Sequence, residues 1–271
     1  MSLSTNVLFG VQSVYMKDDT LTGLYYDYAM AAPLMVPDKN PDSMEVLILG
    51  MGTGTYATQC RKYFGDMNIE GVEIDEKITK LSRKYFALPD DINVTTYDGR
   101  AFLNASDRKY DVIMVDAYQD ITIPFQMSSV EFFGLVKSHL NENGVMVVNM
   151  NMRGDINQYL ADTISSVFAN VYTVEVDNST NRELFASDNN DMMGVLNDNI
   201  SGINDADLRF MMNKVRDKSI AYNAGKLIMT DDNAPVELLG MKVIDKIIRD
   251  EVAYYKEIYA REGIRGLLNS I

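Results

Sequence analysis

Between residues 44 and 150 the chain alternates short runs of branched apolar residues with amphipathic stretches, and this rhythm constrains the fold more than any other feature. "MEVLILG" reads as a buried strand and residues 55–65 as a helix. "IEGVEI" is a second strand, followed by a helix over 75–86 with Ile78, Leu81, Tyr85 and Phe86 on one side. "INVTTY" is a third strand, "GRAFLNA" a short helix, and "YDVIMVDAY" a fourth strand running into a loop. "SSVEFFGLVKSHL" opens with a capping box, Ser128 and Glu131 three apart, and Asn143-Gly144 turns the chain into the strand "VMVVNM". Strands and helices alternating at this spacing imply a parallel sheet joined by right-handed crossovers.

The flanks read differently. Residues 7–16 form an extended segment, "KDDT" a polar turn, and "GLYYDYAMAAPLMV" a helix closed near Pro33. After residue 154 come a helix and two strands, "VYTVEV" and "ELFAS"; the intervening "DNSTN" makes them an antiparallel hairpin. A last helix begins near "DDNAPVELLG", with Asp231 and Asp232 at its start, as caps or as contacts for a cationic substrate. The expected organisation is a β segment and helix over 1–38, then one α/β domain over 39–271. Its sheet has seven mostly parallel strands, with the antiparallel hairpin at the C-terminal edge.

Composition removes several classes of function. A formal charge of -14 argues against a nucleic-acid groove, which needs clustered Lys and Arg, and suits a cationic small molecule better. A single cysteine, Cys60, and a single histidine, His139, exclude internal disulfides and Cys- or His-rich metal sites, so no metal is expected. Both read as structural. No apolar stretch approaches the ~18 residues of a membrane span and no signal peptide is visible, so this segment is expected to be cytoplasmic without membrane contact. The abrupt start also fits a piece of a longer protein.

In an open α/β sheet, ligands sit beyond the carboxyl ends of the strands. Each of four strand ends carries residues suited to that place. The first, "LILGMGTGTY", gives Gly50, Gly52, Thr53 and Gly54; the second Glu73; the third Asp98-Gly99; the fourth Asp116. Glu73 lies 23 residues past Gly50, about where a carboxylate accepts both hydroxyls of a ribose. Asp98 is placed to accept from an adenine amino group. The spacing G-x-G-x-G lacks the third glycine of the dinucleotide fingerprint, and no Lys-Ser/Thr pair marks a phosphate loop. A phosphate-free nucleoside such as a sulfonium compound is the better fit.

The stretches "GLYYDYAMAAPLM", "VLILGMGTGT", "GVEIDEKI", "YDGRAFL", "YDVIMVDAYQDITIPFQMSSVEFF" and "LNENGVMVVN" resemble the spermidine synthase family. That family is one branch of the Rossmann-like, class I S-adenosylmethionine methyltransferase fold. The resemblance covers residues 7 to 150 well, and the aspartate followed by an "IPF" loop looks like that of bacterial spermidine synthase-like proteins. It implies an aminopropyl transfer of polyamine biosynthesis from decarboxylated S-adenosylmethionine to an amine or polyamine, releasing methylthioadenosine. By the same resemblance Glu73 holds ribose and Asp98 adenine, Asp116 and Asp120 act on the amine, and Tyr25, with Tyr26 beside it, faces the acceptor; Asp231 stays open between cap and contact for a cationic substrate. Family habit implies a homodimer formed through the amino-terminal region.

Three positions depart from the synthase pattern. Thr53 stands where the family has an aspartate that grips the donor's amine; Tyr26 replaces a glutamine; and Asp116 and Asp120 are four apart where the family has three. Two other readings therefore stay open: a methyltransferase using S-adenosylmethionine itself, and a catalytically silent nucleoside-binding domain.

Overall fold

The computed structural model describes residues 2–4, 11–16, 21–118, 123–151 and 154–270. Residues 7–10 of the expected extended run, the turn at 17–20 and Asp120 lie outside the described residues. Two short strands, β1 (Ser2–Ser4) and β2 (Val11–Val14), pair antiparallel ahead of the main body. Two short helices follow, α1 (Tyr25–Ala29) and α2 (Ala31–Leu34), where a single helix was expected. Pro33 sits inside α2 rather than closing it.

The alternating section folds as its rhythm implies. In order come β3 (Glu45–Leu49), α3 (Thr55–Phe64), β4 (Asn68–Glu73), α4 (Glu76–Tyr85), β5 (Asn93–Thr96) and α5 (Gly99–Asn104). β6 (Tyr110–Val115), α6 (Val130–Ser138), β7 (Leu140–Asn151), α7 (Ile156–Val167), β8 (Asn170–Glu175) and β9 (Asn181–Ser187) complete it. The sheet order, completed by β10 (Ile220–Ala221), is β10-β8-β9-β7-β6-β3-β4-β5. Pairs from β5 to β7 are parallel, while β9, β8 and β10 run antiparallel to their neighbours. The seven expected strands are present, and the two-residue β10 extends the sheet to eight. Isolated apolar pairs such as "IA" carry no periodicity, which is why the sequence did not reveal it. The helices α8 (Met192–Ile200) and α9 (Ala206–Lys218) were likewise not foreseen.

Alternation along the strands divides the core between two faces. Val46, Ile48, Met114, Val147 and Phe185 pack under residues 26–36 and the buried sides of α3, α8 and α9. Leu47, Leu49, Val115, Val148 and Leu184 pack under α6, α7 and the start of α10 (Val236–Ser270), which kinks at Gly263. Two local expectations need correction. The cap of α6 is Ser129, whose Oγ accepts the Phe132 N–H, while Ser128 donates to the Phe125 carbonyl. The apolar side of α4 is only partly used, because Leu81 and Tyr85 stand exposed while Phe86 is buried. Asp75 caps α4 by accepting the Lys77 N–H.

The chain runs outward from β3 through β4 to β5, then returns to β6 on the other side of β3. That reversal falls between β3 and β6, and sheets of this kind bind ligands at the carboxyl ends of such strands.

Candidate functional site: the carboxyl ends of β3, β4, β5 and β6

The turn after β3 must pass close to its neighbour. A Cβ on Gly50 would lie 2.5 Å from the Asp116 carbonyl oxygen and 2.7 Å from the Ala117 Cα, and φ there is +87°. The first glycine therefore packs the turn against the chain leaving β6, which fixes Asp116 beside it. Gly50→Ala should destabilise the fold by roughly 2–5 kcal/mol, the sum of a left-handed backbone penalty and an overpacked contact. Gly134 in α6 is the control, since nothing lies within 4 Å of its added Cβ. Gly134→Ala should stabilise by about 0.5–1 kcal/mol through helix propensity. Denaturant titration of both variants reads the contrast.

Gly52 (φ +54°) turns its N–H onto Glu73, whose Oε2 accepts it at 2.8 Å; Oε1 accepts the Asp75 N–H at 3.0 Å. The Glu73 side chain is thus held between two backbone donors at the end of β4, and each oxygen keeps a lone pair for a ligand. Beside it Ile74 is 72% exposed, an apolar surface that the sequence reading passed over. At the end of β5, Asp98 caps α5 through Oδ1, which accepts the Ala101 N–H at 2.8 Å. Its Oδ2 takes no protein partner among the described residues. Gly99 follows as the first residue of α5, 3.2 Å (by its added Cβ) from Met127. These residues fit an adenosine: two hydroxyls at Glu73, an amino group at Asp98 Oδ2, and an apolar face at Ile74.

Thr53 is fully buried. Its N–H donates to Ser13 Oγ at 3.2 Å, and its Oγ1 lies 3.5 Å from Thr55 Oγ1. The Ser13 and Thr55 hydroxyls also bond the Tyr26 phenol. Where the family has a carboxylate, this chain has a nest of neutral hydroxyls closed by β2.

Asp116 carries the most informative chemistry. The Tyr25 hydroxyl donates to its Oδ2 at 2.6 Å, and the Asn149 amide donates to its Oδ1 at 2.9 Å. Asn149 is itself fixed, because Asn181 Nδ2 donates to its Oδ1 and the Tyr118 hydroxyl to its carbonyl oxygen, both at 2.8 Å. Burial pushes the Asp116 carboxyl up to about 7, the nearby Glu73 charge adds to the rise, and the Tyr25 and Asn149 hydrogen bonds oppose it. Burial and the Asp116 charge hold the Tyr25 phenol well above its ordinary range. A carboxyl poised near neutrality suits proton transfer. Sequence reasoning named Asp116 and Tyr25 but missed Asn149 and Ser13. The signal for Asn149 was an amide interrupting the apolar run of β7.

Asp231 is held by Arg100 of α5. Its two oxygens take a forked pair from Arg100 at 2.7 and 2.6 Å, and Ser129 Oγ donates at 2.5 Å. Hydrogen bonding from Arg100, helped by Ser129, holds its carboxyl below the usual range. It does not cap α10, which starts at Val236; it ties α5 to α6, and its Oδ2, with one hydrogen bond, keeps a lone pair. Cys60 is buried, its thiol pushed up to about 12 by burial, and is inert packing. The His139 ring spans the Leu135 and Ser106 carbonyls at 2.9 and 2.8 Å, a structural bridge. Among the described residues no group of three His, Cys, Asp or Glu side chains is placed to hold a metal ion, and no helix is long and apolar enough to cross a membrane.

The model of the spermine/spermidine synthase domain matches residues 25–180. The chain belongs to this family. A probable polyamine aminopropyl transferase of Bifidobacterium longum is 54% identical over 99% of this chain and 64% of its own length. The chain therefore spans less than two thirds of that relative. Among solved structures, the spermidine synthase of Thermotoga maritima has a TM-score of 0.59 at 18% identity, covering 74% of this chain and 72% of that one. Human methyltransferase-like protein 13 in complex with SAH has a TM-score of 0.57 at 20% identity, covering 73% of this chain and 95% of that one. At such identities these two report the fold alone, and the fold is the methyltransferase-like one expected.

Proposed function

We propose that this protein is an aminopropyltransferase, moving an aminopropyl group from decarboxylated S-adenosylmethionine to an amine. The observation that carries the proposal is the juxtaposition of Glu73 and Asp98, suited to the adenosine of a donor, with a near-neutral Asp116 locked by Tyr25 and Asn149. The polyamine aminopropyl transferase name of the Bifidobacterium relative points the same way.

In this reading Glu73 takes the ribose hydroxyls, Asp98 Oδ2 the adenine amino group, and Ile74 one face of the base. The acceptor amine sits at Asp116, with Tyr25 fixing the carboxylate's orientation. An ammonium of pKa near ~10 must lose a proton before it can attack, and Asp116 receives it. The amine lone pair then attacks the methylene beside the sulfonium, the carbon–sulfur bond breaks with its electrons to sulfur, and methylthioadenosine leaves. Holding the two reactants in line supplies much of the acceleration. Asp120, four residues past Asp116, is assigned to the acceptor by family resemblance.

A second reading, methyl transfer from S-adenosylmethionine, is favoured by one observation: the neutral hydroxyl nest at Thr53, Ser13, Thr55 and Tyr26. Hydroxyls can donate to the methionine carboxylate, whereas a carboxylate there would repel it. Thr53→Asp separates the readings. An added anion should shift selectivity toward the decarboxylated donor by roughly ten- to a hundred-fold, the worth of one charge-assisted hydrogen bond of ~1.5–3 kcal/mol. Titrating both donors into both proteins tests this. If the unmutated protein already binds the decarboxylated donor far more tightly, the aminopropyl reading stands and another carboxylate grips that amine. A decisive preference for S-adenosylmethionine, with methyl transfer to an amine, would replace it.

A further inference from the structure

Asn149 stands between two acids. Val115 of β6 pairs with Val148 of β7, so Asp116 follows beside Asn149, and Asn149 pairs with Glu183 of β9. Glu183 is fully buried, and neither of its carboxylate oxygens has a hydrogen-bond partner among the described residues. Buried polar groups in native proteins are overwhelmingly paired. An amide that donates to Asp116 while the acceptor on its other side goes unpaired must therefore be held in that orientation. The Asn149 side chain has one donor end and one acceptor end. Turned over, it would offer its N–H to Glu183 and set its oxygen against the Asp116 carboxylate.

The holding contact comes from the start of β9. Asn181 Nδ2 donates to Asn149 Oδ1 at 2.8 Å, which leaves Asn149 Nδ2 to reach Asp116 Oδ1 at 2.9 Å. In the ladder Asn181 pairs with Asn151, so this contact runs diagonally along one face of the sheet. Asn181 is fixed in its turn by Ser179 of the β8–β9 turn. Ser179 Oγ accepts the Asn181 backbone N–H at 3.2 Å and donates its one proton to Asn181 Oδ1 at 2.7 Å. With its oxygen so occupied, Asn181 presents Nδ2 to Asn149. Ser179, Asn181, Asn149 and Asp116 form one chain of hydrogen bonds running in a single direction, from the turn to the candidate site.

We propose that Asn181 is a positioning residue for Asp116, acting through Asn149: it keeps that amide's donor end on the Asp116 carboxylate and away from Glu183. The inference rests on the reading of Asp116 as the proton acceptor and deepens it, because the carboxylate's aim and its readiness to ionise are then set two strands across the sheet. The other titratable groups that face Asp116 among the described residues are Tyr25 and Tyr26 of α1, Glu73 of β4 and Glu183 of β9. None of them is altered in the variants below.

The test reads the Asp116 carboxyl itself, by NMR titration of the full chain carrying isotope-labelled aspartate, with kcat followed against pH alongside. The Asp116 signal is the one missing from Asp116→Asn. Asn181→Leu keeps the size of the side chain and removes its amide. The Asp116 midpoint should then rise from about 7 to roughly 8 or above, because the Asn149 hydrogen bond that favours the ionised form is lost. The acid limb of kcat should move with it. Ser179→Ala should give a smaller shift in the same direction. In an Asn149→Leu background, Asn181→Leu should add nothing, since the residue through which it acts is gone. An unchanged midpoint in Asn181→Leu overturns the inference, as does an equal shift with and without the Asn149 amide. Should Asn181→Leu fail to fold, Ser179→Ala decides by the same readout. The titration needs no substrate, so a shifted midpoint with an unmoved acid limb of kcat upholds the relay and overturns the proton-transfer reading of Asp116 instead.

Discussion

Asp116→Asn is expected to lower kcat by about 10²- to 10⁴-fold, the usual worth of a positioned general base, while methylthioadenosine affinity stays nearly unchanged. The amide keeps the size of the carboxylate and can still meet Tyr25, but it accepts no proton. In the unmutated protein the reaction needs the ionised form, so kcat should rise as pH passes through about 7. Tyr25→Phe sharpens the test. The Tyr25 hydrogen bond opposes the rise of the Asp116 carboxyl, so removing it should move the acid limb to higher pH. Stability should move in the opposite sense to activity. Folded Asp116 holds a proton that the unfolded chain releases above pH ~4, so its contribution to stability is lost as pH climbs from there to about 7. Asp116→Asn should therefore melt higher than the unmutated protein at pH 8 and differ little at pH 4. A flat pH–rate profile in the unmutated protein would remove Asp116 from the proton transfer.

Glu73→Ala is the second variant with a large expected effect. In the proposed reading its carboxylate takes both ribose hydroxyls, and each charge-assisted hydrogen bond is worth about 1.5–3 kcal/mol. Losing them should weaken S-adenosylmethionine, its decarboxylated form and methylthioadenosine alike, by roughly 10²-fold or more. The uniformity is the point, because the three ligands share the ribose and differ in their tails. Calorimetric titration of all three measures it. The variant should also melt lower, since the Gly52 and Asp75 N–H groups lose their acceptor. Unchanged methylthioadenosine affinity in a folded variant would mean that the nucleoside lies elsewhere.

Much of this architecture was legible in the chain itself. The alternation of "MEVLILG", "IEGVEI", "INVTTY" and "YDVIMVDAY" with helical stretches is a local signal, because buried parallel strands and amphipathic helices each have their own period. Once a doubly wound sheet is implied, the ends of its strands are the expected ligand edge, and Gly50, Glu73, Asp98 and Asp116 stand there by position in sequence alone. The hairpin of β8 and β9 could be read for the same reason, from two apolar runs and a polar turn.

Tertiary structure decided what each of those residues is bonded to, since partners far apart in sequence meet only through the fold. Tyr25 reaches Asp116 across 91 residues, Asn149 across 33, and Arg100 takes Asp231 across 131. The last contact ties Asp231, read in the sequence as a cap or a substrate contact, to α5. Gly50 shows the same division: its spacing marked a close approach, but only the packing of β3 against β6 identified the neighbour as the backbone of Asp116 and Ala117. Glu183 is the extreme case. In sequence it is one acid among many, and its burial depends on strand register, which places it beside Asn149 and near α1, its two oxygens without a hydrogen-bond partner among the described residues. Periodicity fixes which face a side chain takes, whereas burial and charge are properties of the whole surrounding shell.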